Sequence, residues 1–153
     1  MENNSNDNNY IFDADENTFV EKVIEQSTDK IIIADFWAPW CAPCKQLTPV
    51  LEEIINETGG LIRLAKINID ENQQIAAQLR IQSIPTVFAF SNKKILDAFQ
   101  GVLPKQKIME SHYEKRKNKI IRPITMPNEI GSMVNKSLYN LAVTSWRTTT
   151  RPV

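Results

Sequence analysis

An α/β domain with a central mixed β-sheet flanked by helices on both faces is the fold class this sequence predicts. The continuous, β-branched apolar run Ile31 to Trp37 reads as a strand covered on both faces, and Leu61 to Asp70 as a second buried strand. Around them, apolar residues recur at the spacing of amphipathic helices. With 153 residues and 42% apolar content, the chain can bury one core and hardly two.

The elements follow in order. Residues 1–9 are polar and Asn-rich and are expected to be disordered. Tyr10 to Asp13 can form a short edge strand. Asp15 can cap a helix whose Phe19, Val20, Val23 and Ile24 share one face. After the first buried strand, Leu47, Val50, Leu51, Ile54 and Ile55 repeat at helical spacing. Pro49 predicts a kink in that helix, and Gly59-Gly60 ends it. Beyond the second buried strand, Asn72 to Arg80 reads as a short helix with Ile75, Ala76 and Leu79 inward. Residues 86–90 and 94–99 flank Ser91-Asn92-Lys93 as an antiparallel hairpin, and Pro104 can open a last helix through Ile108 and Met109. No internal repeat is visible.

The formal net charge of zero hides an asymmetry. Residues 1–100 hold 8 Lys+Arg against 15 Asp+Glu, and residues 101–153 hold 10 against 3. The division expected is a disordered extension at 1–9, a domain at 10–112 and a basic, poorly patterned tail at 113–153. The N-terminus has neither the basic nor the apolar region of a signal peptide, and no run approaches the roughly 18 apolar residues of a spanning helix. A cytoplasmic protein with no membrane partner is expected, in a compartment where thiols stay reduced.

Against that background the stretch FWAPWCAPCK, residues 36–45, carries the chain's two cysteines. A strand stopping at Trp37 and a helix starting near Cys41 would set the first sulfur beside unpaired backbone N–H groups at the positive end of the helix dipole. That field favours thiolate, the nucleophilic form. Cys44, one turn further along, can attack a mixed disulfide formed on Cys41, and Pro43 stiffens the turn between them. A redox couple is the leading reading. Half of a metal site shared between chains and inert packing are the alternatives, since a zinc site needs about four ligands and His112 is the single, distant histidine.

The blocks ADFWAPWCAPCKQLTPVLEE, LAKINIDEN, IQSIPTVFAF and FQGVLPK occur in that order, and together residues 10–110 resemble the thioredoxin family. The resemblance implies the thioredoxin fold and a protein dithiol-disulfide oxidoreductase, an enzyme with no bound cofactor beyond a redox-active Cys41–Cys44 disulfide. It makes Cys41 the attacking and Cys44 the resolving thiol, Asp35 the buried carboxylate beneath them and Lys66 its charged companion on the next strand. A carboxylate within an apolar strand is costly to ionise, which suits proton exchange with Cys44; a merely capping or pairing acid is the alternative. The resemblance also implies a cis bond at Ile84-Pro85-Thr86 and a shallow groove for an extended polypeptide. Trp40, Ile84, Pro85, Thr86 and Gly101 would form that groove, the glycine permitting close approach. Trp37 is assigned to the core and Trp40 to partial exposure. The implied partners are disulfide-bearing proteins and a recycling reductase of the thioredoxin-reductase type, the chain itself being monomeric.

Three departures stand out. Ala42-Pro43 replaces the commoner Gly-Pro between the cysteines, Asn92-Lys93 stands in a hairpin where glycine is usual, and the amphipathic pattern dissolves after Met109. The tail's cluster Lys115-Arg116-Lys117-Asn118-Lys119 lacks interleaved aromatics, so no nucleic-acid partner is expected, and His112 is expected to face solvent. The later blocks and the polar N-terminus are also similar to the thioredoxin-like module of co-chaperones that continue into a tetratricopeptide-like array, which this sequence lacks. A truncated module with an unrelated extension would account for the tail. The second functional class is accordingly a chaperone module holding unfolded clients in the apolar groove through mixed disulfides.

Overall fold

A computed structural model describes residues 9–117, with side chains through residue 111. Residues 1–8 and 118–153, and the side chains of His112 and the basic cluster from Lys115, lie outside the described residues.

β2 (Ile31–Trp37) is the middle of a five-stranded sheet ordered β1-β3-β2-β4-β5. β1 (Ile11–Asp13) and β2 both run parallel to β3 (Ile62–Asn68). β4 (Thr86–Ser91) is antiparallel to β2, and β5 (Lys94–Gln100) is antiparallel to β4. The expected mixed sheet is therefore present. Alternation along β2 divides two cores. Ile32, Ala34 and Phe36 face one side, packed with Phe19, Phe88 and Phe90. Ile31 and Ile33 face the other, against Leu47, Leu51, Ile54 and Ile55 of α1 (Ala42–Glu57) and Ile108 of α3 (Lys105–Lys117). Asp35 and Trp37 share the parity of Ile31 and Ile33, which aims them at the face covered by α1.

The segment before β2 departs from a regular α-helix. Asp15 caps it as expected, its Oδ1 accepting from the Asn17 and Thr18 N–H groups at 2.9 Å each. The coil then widens to a π-helical turn at Val20–Ile24 and tightens to a 3-10 turn at Glu25–Thr28. The same apolar spacing serves either winding, since Phe19, Val23 and Ile24 are all buried. α2 is shorter than expected, Gln73–Gln78, with Asn72 as its N-cap rather than a helical residue. The Asn72 side chain is engaged elsewhere, donating to the Asn68 carbonyl and accepting from the Glu16 N–H. Glu16 in turn accepts from the Gln74 N–H at 2.9 Å, so a carboxylate distant in sequence caps this helix.

α1 continues through Pro49. At the other end of the sheet, Asn92 and Lys93 take positive φ of 51° and 62°, the geometry of a two-residue hairpin turn without glycine. Pro104 precedes α3, its carbonyl accepting from Lys107 and Ile108. Lys105 ties α3 to α1 through Glu53 at 2.8 Å and Glu57 at 2.6 Å. α3 runs on to Lys117, past the point at which its amphipathic pattern fades. Glu114 to Lys117 are good helix formers, and that propensity carries the helix past the point where the apolar spacing stops. No helix among the described residues is long and apolar enough to cross a membrane.

Gly59 and Gly60 end α1 at φ of 57° and 88°. A Cβ at Gly60 would lie 2.2 Å from the Tyr10 ring, whereas one at Gly59 would meet nothing within 4 Å. Gly60→Ala should therefore lower stability by about 2 kcal/mol or more, and Gly59→Ala by about 1 kcal/mol, as measured by urea denaturation. Equal losses would show that the Tyr10 contact yields without cost.

Candidate active site

Trp37 ends β2, and four residues later Cys41 is the N-cap of α1, with extended backbone at φ −87°, ψ 103°. Its Sγ accepts the Cys44 N–H at 3.2 Å, one of the amide donors that a helix start leaves free. Ala42 and Pro43 occupy the first turn, where a missing proline N–H is tolerated. Cys41 and Cys44 are joined as a disulfide, with Cα atoms 5.3 Å apart. Both are buried, packed with Ala38 and fringed by Trp37, Ile69 and Ile84. No cluster of His, Cys, Asp or Glu among the described residues could hold a metal ion.

Asp35 lies on β2 with no exposed surface. Burial pushes its carboxyl up to about 6, against the opposing pull of a Thr48 hydrogen bond and the Lys66 charge. Oδ2 accepts from the Thr48 hydroxyl at 3.1 Å, whereas Oδ1 has no hydrogen-bond partner among the described residues. Lys66 is in register with Asp35 on the neighbouring strand. Its ammonium, however, is bonded to Glu52 of α1 at 3.3 Å and stands 5.9 Å from the Trp37 ring centre. The expected Asp35–Lys66 companionship is thus one of field, and the hydrogen-bonded partner of Asp35 is Thr48.

The remaining candidates gather around the cysteines unevenly. Trp40 is 67% exposed, more than expected, and Trp37 is part-buried. The Trp40 Nε1 donates to both carboxylate oxygens of Asp70 at 3.1 Å each. The Ile84–Pro85 bond is cis, and Ile84 packs against the cysteines. Thr86 is buried, its hydroxyl turned to the Ser83 carbonyl of the same loop. Gly101 takes φ 79° and donates its N–H to the Pro85 carbonyl at 2.9 Å. A Cβ there would meet nothing within 4 Å, so within this chain the glycine answers to backbone conformation rather than crowding. Beside Gly101, Val102 is exposed.

Thr48, Glu52 and Asp70 escape a reading of the sequence. The available signal is slight: Thr48 and Glu52 follow Cys44 at successive four-residue steps, the stripe of α1 that continues from the sulfur.

A sulfur pair closed over one helical turn, with the Cys44 amide donating to the Cys41 Sγ and a buried carboxylate on the strand that leads into it, exchanges electron pairs with other sulfurs. That is the chemistry of a thiol-disulfide oxidoreductase. The thioredoxin family model matches residues 10–114. Thioredoxin of Bacillus subtilis is 39% identical over 85 residues, covering 56% of this chain and 82% of its own. Thioredoxin 1 of Nostoc is 38% identical over 96 residues, covering 63% and 88%. Thioredoxin of Haemophilus influenzae is 41% identical over 99 residues, covering 65% and 88%. The chain belongs to the thioredoxin family and is a thiol-disulfide oxidoreductase.

The raised affinity of Asp35 for a proton links stability to pH. A carboxyl that binds its proton more tightly folded than unfolded adds stability at low pH, and the gain is lost as pH rises from about 4 through about 6. Asp35→Asn should therefore be more stable than wild type at pH 7.5, by up to about 3 kcal/mol, with the difference shrinking toward pH 4. Urea denaturation at the two pH values checks this, and a pH-independent difference would contradict it.

Proposed function

We propose that this protein reduces disulfides in other proteins through its Cys41-Ala42-Pro43-Cys44 site. The observation carrying this reading is the Cys41–Cys44 disulfide at the start of α1, closed over a single helical turn. In the reduced state, the Cys41 thiolate attacks one sulfur of a substrate disulfide. A mixed disulfide forms on Cys41 and the other substrate sulfur leaves as a thiolate. Asp35 takes the proton from Cys44, whose thiolate then attacks the Cys41 sulfur. The Cys41–Cys44 bond closes and the second substrate thiolate departs, so the substrate gains two electrons and the enzyme loses two. A carboxyl near 6 is ionised at neutral pH and can accept that proton.

Trp40, Ile84, Pro85, Thr86 and Gly101 are proposed to hold an extended segment of the substrate beside the sulfurs, with Lys66 acting on Asp35 through its charge. A reductase of the thioredoxin-reductase type would return the disulfide to the dithiol, and the cytoplasm, where such reduction is sustained, is the proposed location. No bound cofactor is needed for these steps. The alternative, a module that holds unfolded clients by its groove, has no use for a resolving thiol.

Wild type should reduce the interchain disulfides of insulin, and Cys41→Ser should abolish this. Cys44→Ser should instead accumulate a mixed disulfide, detectable by mass spectrometry as a covalent adduct. If wild type and Cys41→Ser are equally inactive, yet both suppress aggregation of an unfolding client, the chaperone reading replaces this one.

A further inference from the structure

Asp35 is fully buried, with β3 and β4 beside it in the sheet and α1 over its face. β4 opposes it with Val87, which is apolar. β3 brings Lys66, but that ammonium is bonded to Glu52. α1 brings Glu52, the cysteines near its start and Thr48, the residue whose hydroxyl reaches Asp35 Oδ2 at 3.1 Å. On the strands, Ile33 and Trp37 flank the carboxylate on the same face. Among the described residues, then, Thr48 is the sole hydrogen-bond donor to this carboxylate, and its other oxygen has none.

Thr48 is also fixed relative to the sulfurs. It sits one turn beyond Cys44 on the same helix, which places the two residues on one face of α1. Pro49 immediately follows, which removes one backbone donor from this part of the helix.

We propose that Thr48 is a positioning residue of the redox site, its hydroxyl holding the Asp35 carboxylate toward α1 and setting how readily that carboxylate takes up a proton. The consequence for turnover rests on the reading above that Asp35 accepts the Cys44 proton. A hydroxyl donating to the ionised carboxylate favours that form, and the Thr48 hydrogen bond is the largest of the effects opposing burial. Without it the carboxylate would hold its proton to higher pH, and Cys44 would lose its base over part of the working range.

The test uses Thr48→Val, which keeps the branched shape without the hydroxyl, and Thr48→Ser, which keeps the hydroxyl. The Asp35 carboxyl is followed by carbon-13 NMR in the oxidised protein, in which the cysteines do not titrate. Thr48→Val should move the Asp35 midpoint upward by about one pH unit, a tenfold rise in proton affinity, and Thr48→Ser should keep it near the wild-type value. An unchanged midpoint in Thr48→Val overturns the proposal, as does an equal shift in Thr48→Ser. Should Thr48→Val fold poorly, Thr48→Ala set against Thr48→Ser makes the same comparison. The pH profile of insulin reduction provides a separate readout and should follow the NMR midpoint. If the midpoint moves and the profile does not, the role of Asp35 as proton acceptor fails while its coupling to Thr48 stands.

Discussion

Placing a carboxylate in the middle of the central strand conflicts with burial on both faces, and the site is organised around that conflict. β2 has to be apolar to join two cores, and apart from Asp35 its residues are. At Asp35 the charge loses its water, and a single hydroxyl and a nearby lysine return only part of what hydration would have supplied. The fold tolerates this because the sheet around it is paired without a gap, residue by residue, on both sides of β2. A strand anchored that firmly can carry one costly group, and that group is the one proposed above to take the Cys44 proton.

The second organising element is the end of that strand. Because β2 stops at Trp37 and α1 starts at Ala42, the chain reverses direction over a short link, and Cys41 falls where a helix has amide donors to spare. The cis bond at Pro85 and the positive φ at Gly101 lie in two further segments, one before β4 and one after β5, which the Gly101 N–H to Pro85 carbonyl bond joins. The sulfurs thus have neighbours from separate parts of the chain, Ile69 and Ile84 among them, while their own conformation is local.

Much of this arrangement was legible in the residues. The run Ile31 to Trp37, the cysteine spacing and the glycine pair at 59–60 are local signals of strand, helix start and helix end, and the structure agrees with each. Other features depend on contacts that no local pattern encodes. The spacing of Phe19, Val20, Val23 and Ile24 is satisfied equally by an α-helix and by the mixed winding found there. Lys66 has two acids within its neighbourhood, and only the direction of its side chain selects Glu52 over Asp35. Asp70 and Trp40 stand 30 positions apart and meet because β3 delivers one beside the loop that holds the other. The tail helix extends further than hydrophobic periodicity suggests, because helix propensity outlasts amphipathicity.

The clamp on Trp40 has a consequence for recognition. An exposed indole normally offers a polar N–H as well as an apolar face, but here Asp70 occupies that N–H with both oxygens. What the ring presents outward is hydrocarbon and π-surface alone, its N–H already partnered by Asp70. A surface of that kind has no free donor with which to read a side chain. Under the substrate-holding role proposed for Trp40, such a surface favours breadth over selectivity.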